Sequence, residues 1–216
     1  MRPAVTVLQL DTHFPRVPGD VASTDSYAAQ VEIVRIPAAS VGQIVTGNPG
    51  AVDIAPFEAA LRSARGDVIT TSCGFLAHWQ THLAALTDRP VIASALTALP
   101  DLDGPVTVLT FDADKLVAGH GAVLAHADEV IGLRPDMHLR RVIEGDLDAL
   151  DQAVAGREVA ALVAHSVPRD TATLLLECTN LPPYKPAIRD VFAGRIVDIL
   201  TQIERARPGT VKPAFL

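Results

Sequence analysis

The sequence predicts an α/β protein of two pseudo-symmetric lobes, each a mostly parallel sheet flanked by helices, with a shared cleft between them. Three observations carry this expectation. Short apolar runs alternate with segments of helical period along the chain, the pattern of parallel sheets. The second half repeats the organisation of the first, although residue identity between the halves is slight. Finally, the chain has two cysteines, Cys73 and Cys178, and each closes a buried-strand run, one per half.

Each element follows from local signals. Ala4–Leu10 reads as a buried strand, followed by the loop Asp11–Asp20 with turn-formers Pro15, Pro18 and Gly19. Val31–Ile36 is a second strand, stopped by Pro37. Asp53–Ala64 predicts a helix: Asp53 as cap, Pro56 in the first turn, and Phe57, Ala60 and Leu61 at helical spacing. Val68–Thr71 is the strand leading to Cys73, Phe75–Leu86 a helix and Pro90–Ala93 a strand. Pro105–Phe111 opens the second lobe as a strand, and Ala113–Ala127 follows as a helix weakened by Gly119 and Gly121. Glu129–Leu133 and Arg140–Ile143 read as short strands, and Asp146–Ala164 as a long helix interrupted at Gly156. Thr173–Glu177 is the strand leading to Cys178, and a final helix starts at Ala187. The lobes are then 1–100 and 101–216, joined through Pro100-Asp-Leu-Asp-Gly-Pro105, with the closing helix at 187–206 packing back across the boundary.

Composition limits the function. Hydrophobic residues at 49% and charged at 20% fit a soluble globular chain. A net charge of -7 without a Lys/Arg run argues against nucleic acid or an anionic membrane as partner. The apolar start, Pro3–Leu10, is too short for a signal peptide or membrane span, so a cytoplasmic protein is expected. In that compartment the cysteines are free thiols. No metal site is expected, since there is no CxxC.

The two cysteine phrases carry the chemistry. They read Asp67-Val-Ile-Thr-Thr-Ser-Cys73-Gly-Phe and Thr173-Leu-Leu-Leu-Glu-Cys178-Thr-Asn. Strand C-terminal ends are where parallel sheets bind ligands. A free cysteine is often only a small buried hydrophobe. Two at equivalent strand ends, beside Ser72 and Thr179, instead suggest a two-base site. One thiolate would take a proton from carbon and one thiol return it, with a helix N-terminus lowering a thiol pKa. Backbone N–H groups after each cysteine offer a place for a carboxylate.

Thr-Ser-Cys73-Gly-Phe together with Glu-Cys178-Thr-Asn-Leu-Pro-Pro-Tyr resembles the aspartate/glutamate/hydantoin racemase superfamily, over most of the chain. The resemblance implies two α/β lobes, an active site between them, no cofactor, and deprotonation at a carbon next to a carboxylate. It implies homo-oligomerisation as a dimer or tetramer. It makes Cys73 and Cys178 the acid/base pair and Thr179 a ligand of the substrate carboxylate. The chain also departs from the glutamate enzymes. Asp11-Thr-His-Phe-Pro-Arg16 replaces their Gly-rich segment, Gly74-Phe75 stands where they carry Asn-Thr, and Asn180 where they carry His. The pair therefore indicates the chemistry rather than glutamate as substrate.

Ser72, Gly74, Phe75 and Asn180, as neighbours of the cysteines, join the expected substrate-binding set. Asp11 is a candidate to orient a substrate ammonium or tune a thiol, or else a loop carboxylate. Arg16 is a candidate for a forked carboxylate contact, or else a solvated loop residue. His78 and His82 lie one helical turn apart, but Trp79 stands where a metalloprotease needs Glu, so both read as helix-surface or cleft-edge residues. Three functions follow. The first is a cofactor-independent racemase or epimerase of a small amino acid or related carboxylate. The second is a lyase on the same scaffold, eliminating from a small carboxylate as in cleavage of dimethylsulfoniopropionate to acrylate and dimethyl sulfide, or a maleate isomerase or decarboxylase. The third is a small-acid-binding protein without activity.

Overall fold

The computed structural model describes residues 2–216. The first sheet contains β1 (Val5–Leu10), β2 (Val31–Ile36), β3 (Val68–Thr71) and β4 (Val91–Ile92), in the order β2-β1-β3-β4. The second contains β5 (Val106–Thr110), β6 (Glu129–Gly132), β7 (Thr173–Leu176) and β8 (Arg195–Asp198), in the order β6-β5-β7-β8. Every pairing is parallel, and the order of the second sheet reproduces that of the first. The two-lobed α/β architecture expected from the sequence is therefore the one found.

Strands covered on both faces read as unbroken apolar runs. β1 shows the reason: Leu8 and Leu10 join a core containing Phe57 and Leu61, whereas Val5 and Val7 face a cluster with Ile199, Leu200 and Ile203. The helices are α1 (Val41–Ile44), α2 (Ala55–Ser63), α3 (Gln80–Ala84), α4 (Ala113–His120), α5 (His138–Glu144), α6 (Gln152–Ser166), α7 (Lys185–Arg189) and α8 (Ile199–Ala206). Among the described residues, no helix is long and apolar enough to cross a membrane.

Several expectations are corrected. Arg140–Ile143 is not a strand but part of α5, because Leu139, Val142 and Ile143 are buried at helical spacing. The continuous helix expected over 187–206 is α7, then β8, then α8; Gly194 precedes the missed strand, which pairs with β7. α6 starts at Gln152 rather than at Asp146, with Asp151 accepting from the Val154 N–H at 2.9 Å as its cap. The helix expected at Phe75–Leu86 is a 3₁₀ turn, Gly74–Trp79, running into α3. Ile54, not Asp53, flanks α2, although the Asp53 carboxylate accepts from the Ala55 N–H at 3.1 Å.

The lobes exchange their closing elements. The 3₁₀ segment after β4, Ala95–Asp101, packs on β7 and β8, while α8, after β8, packs on β3 and β4.

Candidate active site

In each sheet the chain steps from the first strand to a neighbour on one side, then returns to the other side. This creates a crevice at the C-terminal ends of β1 and β3, and again at β5 and β7. Cys73 and Cys178 stand at equivalent places, each two residues beyond its strand (71 to 73, 176 to 178). Both line one narrow pocket between the lobes, with a free volume of about 20 Å³. Its remaining wall is largely apolar, with Leu10, Phe14, Phe111 and Ile143 prominent.

The expected neighbours converge there. Ser72, Gly74, Phe75, Thr179, Asn180 and Arg16 all line this pocket. The Thr179 hydroxyl donates to the Ser72 carbonyl across the lobes at 2.7 Å, and the Ser72 hydroxyl accepts from the Leu10 N–H at 2.9 Å. The Cys178 thiol lies 3.8 Å from the Asn180 carbonyl oxygen, and the Asn180 amide donates to Asp20 at 2.5 Å.

Arg16 is not a solvated loop residue. Its guanidinium lies 4.1 Å from the Phe14 ring centroid and donates to Thr12 Oγ1 at 2.7 Å. It also pairs with buried Asp20 at 3.3 Å, and its buried Nε has no partner among the described residues. Asp11 does not join the group. Its carboxylate pairs with Arg35 at 2.9 Å and accepts from the Ala38 N–H at 3.0 Å. The loop carrying Arg16 is latched to the second lobe. Asp146 accepts from the N–H groups of His13 and Phe14 at 2.6 and 3.0 Å, and meets the His13 ring at 2.8 Å.

The electrostatics reverse one expectation. Both thiols are pushed up rather than lowered, Cys73 to about 12 and Cys178 well above the ordinary thiol value. Burial is the main cause and the carboxylate of Glu177 the next; the N–H groups of Phe75 and Asn180 pull the other way but lose. The pair is unequal. Arg16 draws the Cys73 thiol down, whereas Asp20 and Cys73 push Cys178 further up.

Glu177 was missed as a site residue, though it stands in the phrase Leu-Leu-Leu-Glu-Cys178. An acid among fully buried strand residues was the available signal. It is wholly buried and lines the pocket. Burial raises its carboxyl to about 7, against the opposing hydrogen bonds from Thr110 and the Phe111 N–H. Thr110 Oγ1 donates to Oε2 at 2.5 Å, while Oε1 has no partner among the described residues. Neither His78 nor His82 lines the pocket: His82 meets Glu58 at 2.6 Å, and the His78 ring stacks edge-on against Trp79. No cluster of metal-ligating side chains occurs among the described residues.

No family model matches the chain. A dimethylsulfoniopropionate lyase of Durusdinium sp. clade D is 27% identical over 219 residues, covering 92% of this chain and 72% of that protein. Dimethylsulfoniopropionate lyase 5 of Emiliania huxleyi (strain CCMP1516) is 30% identical over 242 residues, covering 99% of this chain. The chain spans only 47% of that relative's length, and 57% of lyase 3 from the same organism. Among solved structures, the allantoin racemase of Pseudomonas fluorescens superposes with a TM-score of 0.65 at 13% identity, over 94% of this chain and 88% of that one. The aspartate racemase of Picrophilus torridus gives 0.53 at 12% identity, over 98% and 97%. At such identities the likeness is one of fold, and that fold is the one the resemblance to the aspartate/glutamate/hydantoin racemases implied.

Proposed function

Starting from a two-lobed fold shared with allantoin and aspartate racemases, we propose that this chain is an enzyme that removes the proton next to the carboxylate of a small substrate and eliminates a group from the adjacent carbon. Dimethylsulfoniopropionate is the substrate we assign, giving acrylate, dimethyl sulfide and a proton. The observation that carries this reading is the unequal surroundings of two equivalent thiols. Arg16 favours ionisation of Cys73, while Asp20 disfavours that of Cys178; burial and Glu177 raise both thiols alike. Elimination from a sulfonium needs one base and no general acid, since the sulfide leaves neutral, so two unequal thiols suit it. A racemase must run in both directions, which favours two thiols of matched basicity. The sequence likeness to dimethylsulfoniopropionate lyases points the same way. Fold alone decides nothing about function.

In this reading Cys73 takes the α-proton, and the carbanion's electron pair forms the alkene as the leaving group departs. Arg16 Nε–H and the N–H groups around the two cysteines receive the substrate carboxylate. Racemisation at the same carbon is the second reading, supported by the equivalent placement of the cysteines in the two lobes. One assay separates them. The protein is incubated with dimethylsulfoniopropionate, and with aspartate, glutamate and allantoin in deuterium oxide. Acrylate formation is expected to fall at least 100-fold in Cys73→Ser and less in Cys178→Ser, whose thiol moves no proton in the elimination. Enantiomer interconversion without an unsaturated product would establish the second reading, and activity unaltered in both variants would remove the thiols from the mechanism.

A further inference from the structure

We infer that Glu177 is the proton acceptor of the site: its carboxylate Oε1 takes the thiol proton of Cys73 as that sulfur takes the substrate's α-proton. The inference rests on the proton-removal reading and identifies what makes it possible at neutral pH. Both thiols are buried in a narrow pocket that favours their protonated form, so neither is a ready base. Among the described residues, Glu177 is the one carboxylic acid lining that pocket. It precedes Cys178 directly in the chain, and it reaches across the lobe boundary to Gly74, the residue after Cys73. The contact is close: a Cβ built on Gly74 would lie 2.1 Å from Oε1. Oε2 is occupied by Thr110, whereas Oε1 is buried without a partner among the described residues. A buried acceptor with one bare oxygen, against the residue that follows one thiol and next in sequence to the other, shares their pocket and is placed to take up a proton.

The step balances. The C–H bond breaks and a new S–H bond forms at Cys73. The former S–H bond breaks and an O–H bond forms at Glu177 Oε1. The C–H electron pair becomes the new π bond as the leaving group departs with its own bonding pair. Glu177 then releases its proton to water when the products leave. Nothing is oxidised or reduced. The thiol remains a thiol throughout, so an unfavourable free thiolate need not accumulate.

A merely electrostatic role makes the opposite prediction. A carboxylate that does no more than repel a thiolate hinders ionisation, so replacing it by Gln would speed the reaction. An acceptor role requires that the same change slow it. Glu177→Gln keeps the side-chain shape and an acceptor for Thr110, and its fold is checked by thermal melting. With dimethylsulfoniopropionate as probe, kcat in Glu177→Gln should fall at least 100-fold, the scale of a lost general base. Wild-type kcat/KM should rise with pH and level off above about 7, following the Glu177 carboxyl. The residual rate of the variant should keep rising tenfold per pH unit, since only hydroxide then ionises the thiol. Thr110→Val removes a bond that holds the Glu177 carboxyl down, so it should move the acid limb of the profile upward. An unchanged or faster Glu177→Gln enzyme overturns the inference, as does an acid limb that stays in place in Thr110→Val when Glu177→Gln is misfolded. If the wild type neither forms acrylate nor exchanges the α-proton of any acid tested, the proton-removal reading fails and this inference falls with it. If the wild type forms acrylate but the variants do not behave as stated, this inference alone fails and the proton-removal reading stands.

Discussion

Gly74 and Glu177 are two sides of one contact. Any side chain at 74 would meet the Glu177 carboxylate at 2.1 Å and its carbonyl oxygen at 2.5 Å, so this place requires glycine for close approach rather than for an unusual turn. The tightness that excludes a methyl group also excludes water, and burial of the Glu177 carboxyl follows. Its effect on stability has a definite sign. Below about 4.5, the ordinary value, the acid is protonated whether the chain is folded or not. Between there and about 7 the unfolded chain loses its proton while the folded one keeps it, so stability falls as pH rises and then levels off. The loss is on the order of 3 kcal/mol at most. Urea midpoints from acid to neutral pH should decline in the wild type, and Glu177→Gln should remove that part of the decline. The cysteines were legible in sequence because strand-end position is a local property. The shift of Glu177 depends on Thr110 and Gly74, both far earlier in the chain, and no local pattern announces that meeting.

At the scale of the element, the strands were read closely because buried parallel strands carry unbroken apolar runs. The failures are informative. In α5, Arg140 and Arg141 ahead of Val142 and Ile143 looked like a β-branched strand. The deciding interactions are tertiary: the Arg140 guanidinium donates to the Phe111 and Leu133 carbonyls at 2.5 and 3.1 Å and to Asp112 at 2.9 Å. β8 was hidden between two helical stretches and exists because β7 offers it an edge. Its last residue then does two jobs. Asp198 caps α8, accepting from the Thr201 N–H at 2.8 Å, and forms a buried pair with Lys185 of α7 at 2.6 Å. Lys185 also donates to the Phe215 carbonyl. Removing one member leaves the other charge buried and alone, which costs roughly 3–5 kcal/mol. Lys185→Met should lower the stability measured by urea unfolding by that amount, although the substituted side chain is apolar and similar in length.

For the molecule as a whole, the exchange of closing elements decides how the lobes depend on each other. Val5, Val7, Val68 and Ile92 of the first sheet are buried by Ile199, Leu200, Ile203 and Val211, residues that follow the last strand of the second. A chain ending at Asp198 should therefore lose the first lobe's fold as well as its own terminus. Circular dichroism of that truncated protein should show no single cooperative transition, whereas the intact protein should melt as one unit. The latch between Asp146 and the His13–Phe14 backbone has a different consequence. A pocket of about 20 Å³ admits a guest the size of water. An acid with several heavy atoms is larger than that volume, so the pocket as it stands is closed to it, and the tie from Asp146 helps keep it closed. Asp146→Ala should speed binding of such an acid, read by stopped-flow quenching of Trp79.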